Sequence, residues 1–94
     1  MKIKDIRSLQ QEIGYAPLQR LVDTGQAWHM EGSTGRLCMS LLKVGALFLP
    51  RKDFRDAYGN IVPSRTKLKA GTTGTLELSI QYYTNKLFAT DESI

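Results

Sequence analysis

Apolar residues recur at Ile3, Ile6, Leu9 and Ile13, a spacing of three, three and four. That spacing predicts a helix with one apolar face and with Arg7, Gln11 and Glu12 turned outward. Gly14 ends it, because glycine enters the left-handed conformation without penalty. Pro17 suits the first turn of a second short helix, Ala16 to Thr24, whose stripe is Leu18, Leu21 and Val22 and whose stop is Gly25. Trp28 and Met30 alternate with polar neighbours, so Gln26 to Met30 reads as extended. Ser33 and Thr34 then offer N-caps to a third helix carrying Leu37, Leu41, Leu42 and Val44, closed by Gly45.

After Gly45 the period changes. Ala46 to Leu49, stopped by Pro50, reads as a short buried strand. Tyr58-Gly59-Asn60 is a turn signal before Ile61 and Val62, and Lys69 to Gly74 is another. Leu76, Leu78, Ile80 and Tyr82 alternate with Glu77, Ser79 and Gln81, which predicts a strand with one buried and one solvated face. Thr84-Asn85-Lys86 turns into a last strand, Leu87 to Thr90, before a polar end at Asp91, Glu92 and Ser93. The pattern therefore predicts one α+β domain over residues 1–94. Two or three short N-terminal helices (about 3–45) pack on a C-terminal, strongly curved antiparallel sheet or small SH3-like barrel (about 46–90).

The chain has 94 residues, 41% hydrophobic and 23% charged. This supports one core, with a second copy as a source of further burial. Its most apolar stretch, Leu37 to Pro50, is interrupted by Ser40, Lys43 and Gly45 and falls short of the ~20 residues of a membrane span. Met1 to Gly14 lacks the continuous apolar run of a signal peptide. With Cys38 the only cysteine, the expected setting is the reducing cytoplasm. One His and one Cys do not make a structural zinc site, and no cofactor motif is found.

Charge changes the picture more. Residues 51–69 hold Arg51, Lys52, Arg55, Arg65, Lys67 and Lys69 against Asp53 and Asp56. Six cations against two carboxylates leave +4, the whole formal net charge of the chain. Phe54 and Tyr58 lie among them, so cations for phosphates are interleaved with rings for stacking. The opposing reading is a solvated loop in which Phe54 and Tyr58, four apart, form one face of a helical turn. Asp53 and Asp56, neighboured by Lys52 and Arg55, read as a salt-bridged surface and not as an acid-base pair.

Three other groups invite chemistry. Gly32 to Arg36 at a helix start offers free N–H groups to an anion, yet lacks the spacing and lysine of a phosphate-binding loop, and ordinary capping explains it. His29 and Cys38, with Glu31 or Asp23 to orient the imidazole, would be the one nucleophile-base pair, but Cys38 falls in an apolar helix where a thiol is inert. Lys69 to Leu76, with its Gly-Thr-Thr-Gly centre, resembles the strand-turn-strand element of small SH3-like barrels, including the KOW type of nucleic-acid-associated proteins. That resemblance implies a small barrel, although any tight hairpin uses the same residues.

These readings favour a small non-enzymatic binding or regulatory module whose basic central segment meets nucleic acid or an acidic protein. The alternative is a homodimer or larger self-assembly built on an aromatic surface around Trp28, Met30, Tyr82 and Tyr83.

Overall fold

The computed structural model describes residues 1–92, with side chains as far as Leu87. Helices α1 (Ile3–Ile13), α2 (Ala16–Asp23) and α3 (Ser33–Val44) lie where the apolar spacing predicts them. Between α2 and α3 the chain forms a 3₁₀ turn, Gln26–His29, in place of the expected extended segment. Ala27 is buried and Trp28 half-buried. Two successive inward residues suit a tight turn and not a strand, whose side chains alternate.

Most of the predicted stripes pack on the core, namely Ile3, Ile6 and Leu9 of α1, Leu18, Leu21 and Val22 of α2, and Leu41 and Leu42 of α3, while Ile13, Leu37 and Val44 do not. Ile6 and Gln10 are the buried residues of α1, and Ile13 is exposed. On α3 the buried line is Gly35, Cys38 and Leu42, while Leu37 and Val44 face solvent. Gly35 sets this rotation. A Cβ there would stand 2.8 Å from the carbonyl oxygen of Met30, so the smallest residue has to face the 3₁₀ turn and Leu37 is carried outward.

Residues 46–49 are buried, bend at Ala46 and Leu47, and pair with no strand. Alternation survives in them: Leu47 and Leu49 pack with Val22, Ala27, Cys38 and Leu42, and Phe48 packs with Ile6 and Tyr83. The segment thus runs between the α2/α3 layer and α1 with the last helix. Buried backbone needs partners; the Leu47 and Leu49 N–H groups donate to the Leu41 (3.3 Å) and Gly74 (2.8 Å) carbonyls, and side chains supply others. Gln19 acts like a neighbouring strand, with Nε2 donating to the Phe48 carbonyl (2.9 Å) and Oε1 accepting from the Phe48 N–H (3.1 Å). Gln10 Nε2 donates to the Ala46 carbonyl (3.0 Å) and to Gln19 Oε1 (2.8 Å). Tyr83 Oη also donates to Ala46 O (2.6 Å), and Ser79 Oγ donates to Gly45 O (2.6 Å).

The largest correction concerns residues 76–92, which form one helix, α4 (Leu76–Glu92), and not two strands. Among its described side chains, Ser79 and Tyr83, four apart, are the buried ones. Leu78 is only half-buried, so the expected order of Leu78 inside and Ser79 outside is reversed, while Glu77 and Gln81 do face solvent. The apolar residues of α4 are spread round its axis and its inward position is a serine, which conceals the helical period. Thr75 opens the helix, its Oγ1 accepting from the Leu78 N–H (3.3 Å), with Glu77 in the first turn. Of the polar end, Ser93 lies outside the described residues.

The only strand pairing among the described residues is a two-stranded antiparallel ribbon, β1 (Phe54–Arg55) with β2 (Ile61–Val62), in register Phe54 with Val62 and Arg55 with Ile61. The turn Tyr58-Gly59-Asn60 is at its tip, as its residues predict. No strongly curved sheet and no small barrel is present among those residues. Arg65–Lys67 is a second 3₁₀ turn, and Lys69 to Leu76 leads into α4 instead of joining two strands. Gly45 allows α4 to close on α3, because it has φ 96° and a Cβ would meet Leu78 O at 2.7 Å. No helix of the described residues is long and apolar enough to cross a membrane.

Candidate functional site

The basic segment does not form one surface of free cations. Arg65 belongs to the fold: Nη1 donates to the Leu49 carbonyl (3.0 Å), and its guanidinium lies 5.5 Å from the centre of the Phe48 ring. Burial, with Arg51 and Arg7 close by, pulls its pKa down. Arg7 lies 5.1 Å from the same ring and pairs with Asp23 at 3.0 Å. Lys67 is paired with Asp53, whose Oδ1 also accepts the Ser64 N–H at 2.7 Å. Arg55 donates to the Gly59 carbonyl (2.9 Å) across the ribbon turn. Lys52 stands 5.8 Å from the Phe54 ring centre. Arg51 and Lys69 are exposed and ion-pair with no acidic group among the described residues.

Neither aspartate sits in an alternating surface with Lys52 and Arg55. Asp53 is held below the ordinary carboxylate range by the Lys67 hydrogen bond and then by the Ser64 N–H. Asp56 caps the ribbon turn, accepting at 2.9 Å from each of the Tyr58 and Asn60 N–H groups. Desolvation pushes its pKa up, but these hydrogen bonds outweigh it and the net shift is downward. Phe54 and Tyr58 do not share a helical face, since Phe54 is on β1 and half-buried while Tyr58 is 89% exposed beyond it.

What the fold does assemble is an open groove of about 780 Å³ between α3, the first 3₁₀ turn and the ribbon. Its floor and walls are apolar: Trp28, Met30, Met39, Leu42, Leu49 and Val62. Tyr58, Ile61 and Pro63 continue the ribbon side, with Leu68 and Gly74 at the end. Trp28 Nε1 is buried with no hydrogen-bond partner among the described residues. Met30, Met39, Tyr58 and Ile61 remain substantially exposed, a concentration of large apolar side chains at one place. Arg36 and Lys43 from α3 edge the groove, and neither pairs with an acidic group among the described residues. Asp56 lines it with its carboxylate committed to the turn.

This groove was not legible from periodicity. Its residues come from separated stretches, 27–43, 49, 56–63 and 68–74, and Met39 and Ile61 carry no motif. The signal that could have been used is the pair Arg36 and Lys43 flanking Met39 on one helix face.

The remaining candidates are dispersed. Gly32 is the N-cap of α3, with φ 88° and no side-chain cap, so neither Ser33 nor Thr34 caps the helix. Cys38 is fully buried in the α2/α3 cluster, and desolvation raises its thiol pKa, whereas His29 is exposed. Trp28 and Met30 line the groove, Tyr82 lies in a separate depression with Val44 and Leu78, and Tyr83 is buried. Among the described residues no three of His, Cys, Asp and Glu gather where they could hold a metal ion. No family model, curated protein or solved structure matches this chain.

Proposed function

We propose that the chain is a small non-enzymatic binding module of the cytoplasm whose groove between α3 and the ribbon receives apolar side chains of an acidic protein partner. The observation that carries this reading is one groove combining exposed Met30, Met39 and Ile61 with two unneutralised cations, Arg36 and Lys43. Flexible methionines suit a surface that adapts to the partner's side chains, and the cations bias the encounter toward acidic surfaces. A polynucleotide is the weaker fit. Of the six cations expected to meet phosphates, Arg65 holds the Leu49 carbonyl and Lys67 holds Asp53.

Trp28, the only tryptophan, reports directly on the groove. Its fluorescence should respond to a synthetic amphipathic peptide of leucine and glutamate and not to duplex DNA. Met39→Glu, at an exposed position, should remove the peptide response without loss of helical circular dichroism. Salt-dependent DNA binding, lost when Arg51, Lys52 and Lys69 are reversed to Glu, would favour the polynucleotide instead. A concentration-dependent dimer that occludes Trp28 and fails to bind peptide would favour self-association.

A further inference from the structure

Resting on the groove reading, we infer that the partner segment is an α-helix presenting two carboxylates seven residues apart. The argument starts from α3. Arg36 and Lys43 are seven residues apart, two turns of helix, so both project on one side about 10 Å from each other along the axis. Met39 lies between them on the groove side. A helix laid along α3 repeats this spacing: carboxylates at positions i and i+7 meet the two cations, and an apolar residue at i+3 or i+4 lies over Met39.

The opposite wall strengthens the assignment. Ile61, Pro63 and Tyr58 are uncharged, and Asp56 is the charged residue that lines that wall. A partner helix must therefore be acidic toward α3 and apolar toward the ribbon, which is an amphipathic helix with one acidic edge. Asp56 repels a helix inserted the other way round. An extended peptide finds less, because β1 and β2 are only two residues each and offer little edge for strand addition. The groove volume, about 780 Å³, falls within the ~300–1,000 Å³ that encloses a ligand of a few side chains.

Three synthetic peptides of equal length and helicity test this, each with the same leucine face. One carries Glu at i and i+7, the second carries the same two Glu at i and i+5, and the third carries Lys at i and i+7. Binding is read from Trp28 fluorescence and helix formation from circular dichroism of the complex. The i, i+7 Glu peptide should bind about threefold more tightly than the i, i+5 peptide, since the latter keeps one of the two ion pairs and one exposed pair of up to ~0.7 kcal/mol amounts to half a decade. The Lys peptide should bind more weakly still. In the double variant Arg36→Glu, Lys43→Glu the order of the Glu and Lys peptides should invert. Both side chains are exposed and make no ion pair among the described residues, so this variant should keep its circular dichroism. Equal affinity for the two Glu spacings, or no inversion, would overturn the helix register while leaving the groove reading intact if Met39→Glu still abolishes binding. Failure of all three peptides to bind would overturn both.

Discussion

Gln19 carries more of this fold than any periodicity rule would assign to a glutamine. Its amide replaces a β-strand neighbour for Phe48, accepts from Gln10 and donates to Asp23 Oδ1 at 2.8 Å, all while 1% exposed. Removing it orphans a buried N–H and weakens the satisfaction of a buried carbonyl, each costing about 1–3 kcal/mol. Gln19→Leu should accordingly destabilise the protein by about 2–4 kcal/mol in urea unfolding. Gln11→Ala, at an exposed position of α1, should cost under about 0.5 kcal/mol. Equal midpoints for the two variants would show that the glutamine network contributes nothing. Ser79 follows the same logic on α4, where a hydroxyl at the most buried position is explained by the carbonyl of Gly45 it reaches.

At the scale of elements, the ribbon and its flanks are held by two carboxylates more than by strand pairing. Asp53 ties Ser64 and Lys67 to the start of β1, and Asp56 closes the ribbon turn. Both pKa values are lowered by folding. Their contribution is therefore complete above the ordinary aspartate value near ~3.9 and is lost as pH falls through the depressed folded values. The urea midpoint should decline as pH drops below about 4, and Asp53→Asn should flatten that decline. A variant with an unchanged acid slope would remove Asp53 from this role. The groove wall formed by Ile61 and Pro63 should loosen over the same window, because it is part of the same segment.

Across the whole molecule, formal charge and usable charge differ. The net +4 falls in residues 51–69, yet those residues include a guanidinium lodged against Phe48 and an ammonium neutralised by Asp53. Arg65→Glu should lower the thermal midpoint markedly, because it removes the donor to Leu49 O and places a carboxylate beside a buried ring. Lys69→Glu should leave the midpoint nearly unchanged, since the side chain is exposed. Differential scanning of the two variants separates structural from available cations, and equal midpoints would return Arg65 to the pool of free surface charge. The cations left to bias binding at the groove are then Arg36 and Lys43, which lie outside the basic segment altogether.

What the sequence determined by itself is the first half of the chain. Apolar spacing and the glycine at each helix end place α1, α2 and α3, and the Tyr58-Gly59-Asn60 turn places the ribbon tip, because these signals are local and need no partner. The buried state of Cys38 follows as well, from its apolar helix. What only tertiary structure decided is which face turns inward and what satisfies the buried backbone. α4 alternates apolar and polar residues as a strand does, but Ala46 to Leu49 meets no strand. The Ala46 and Leu47 carbonyls and both backbone groups of Phe48 are met by Gln10, Gln19, Ser79 and Tyr83, from three helices. A polar side chain that serves a distant carbonyl is indistinguishable in sequence from one that faces water, so the inward face of α4 was hidden. The groove shares that origin: Met30, Met39 and Ile61 acquire a common surface only when Gly35 lets α3 close on the 3₁₀ turn and the ribbon folds beside it.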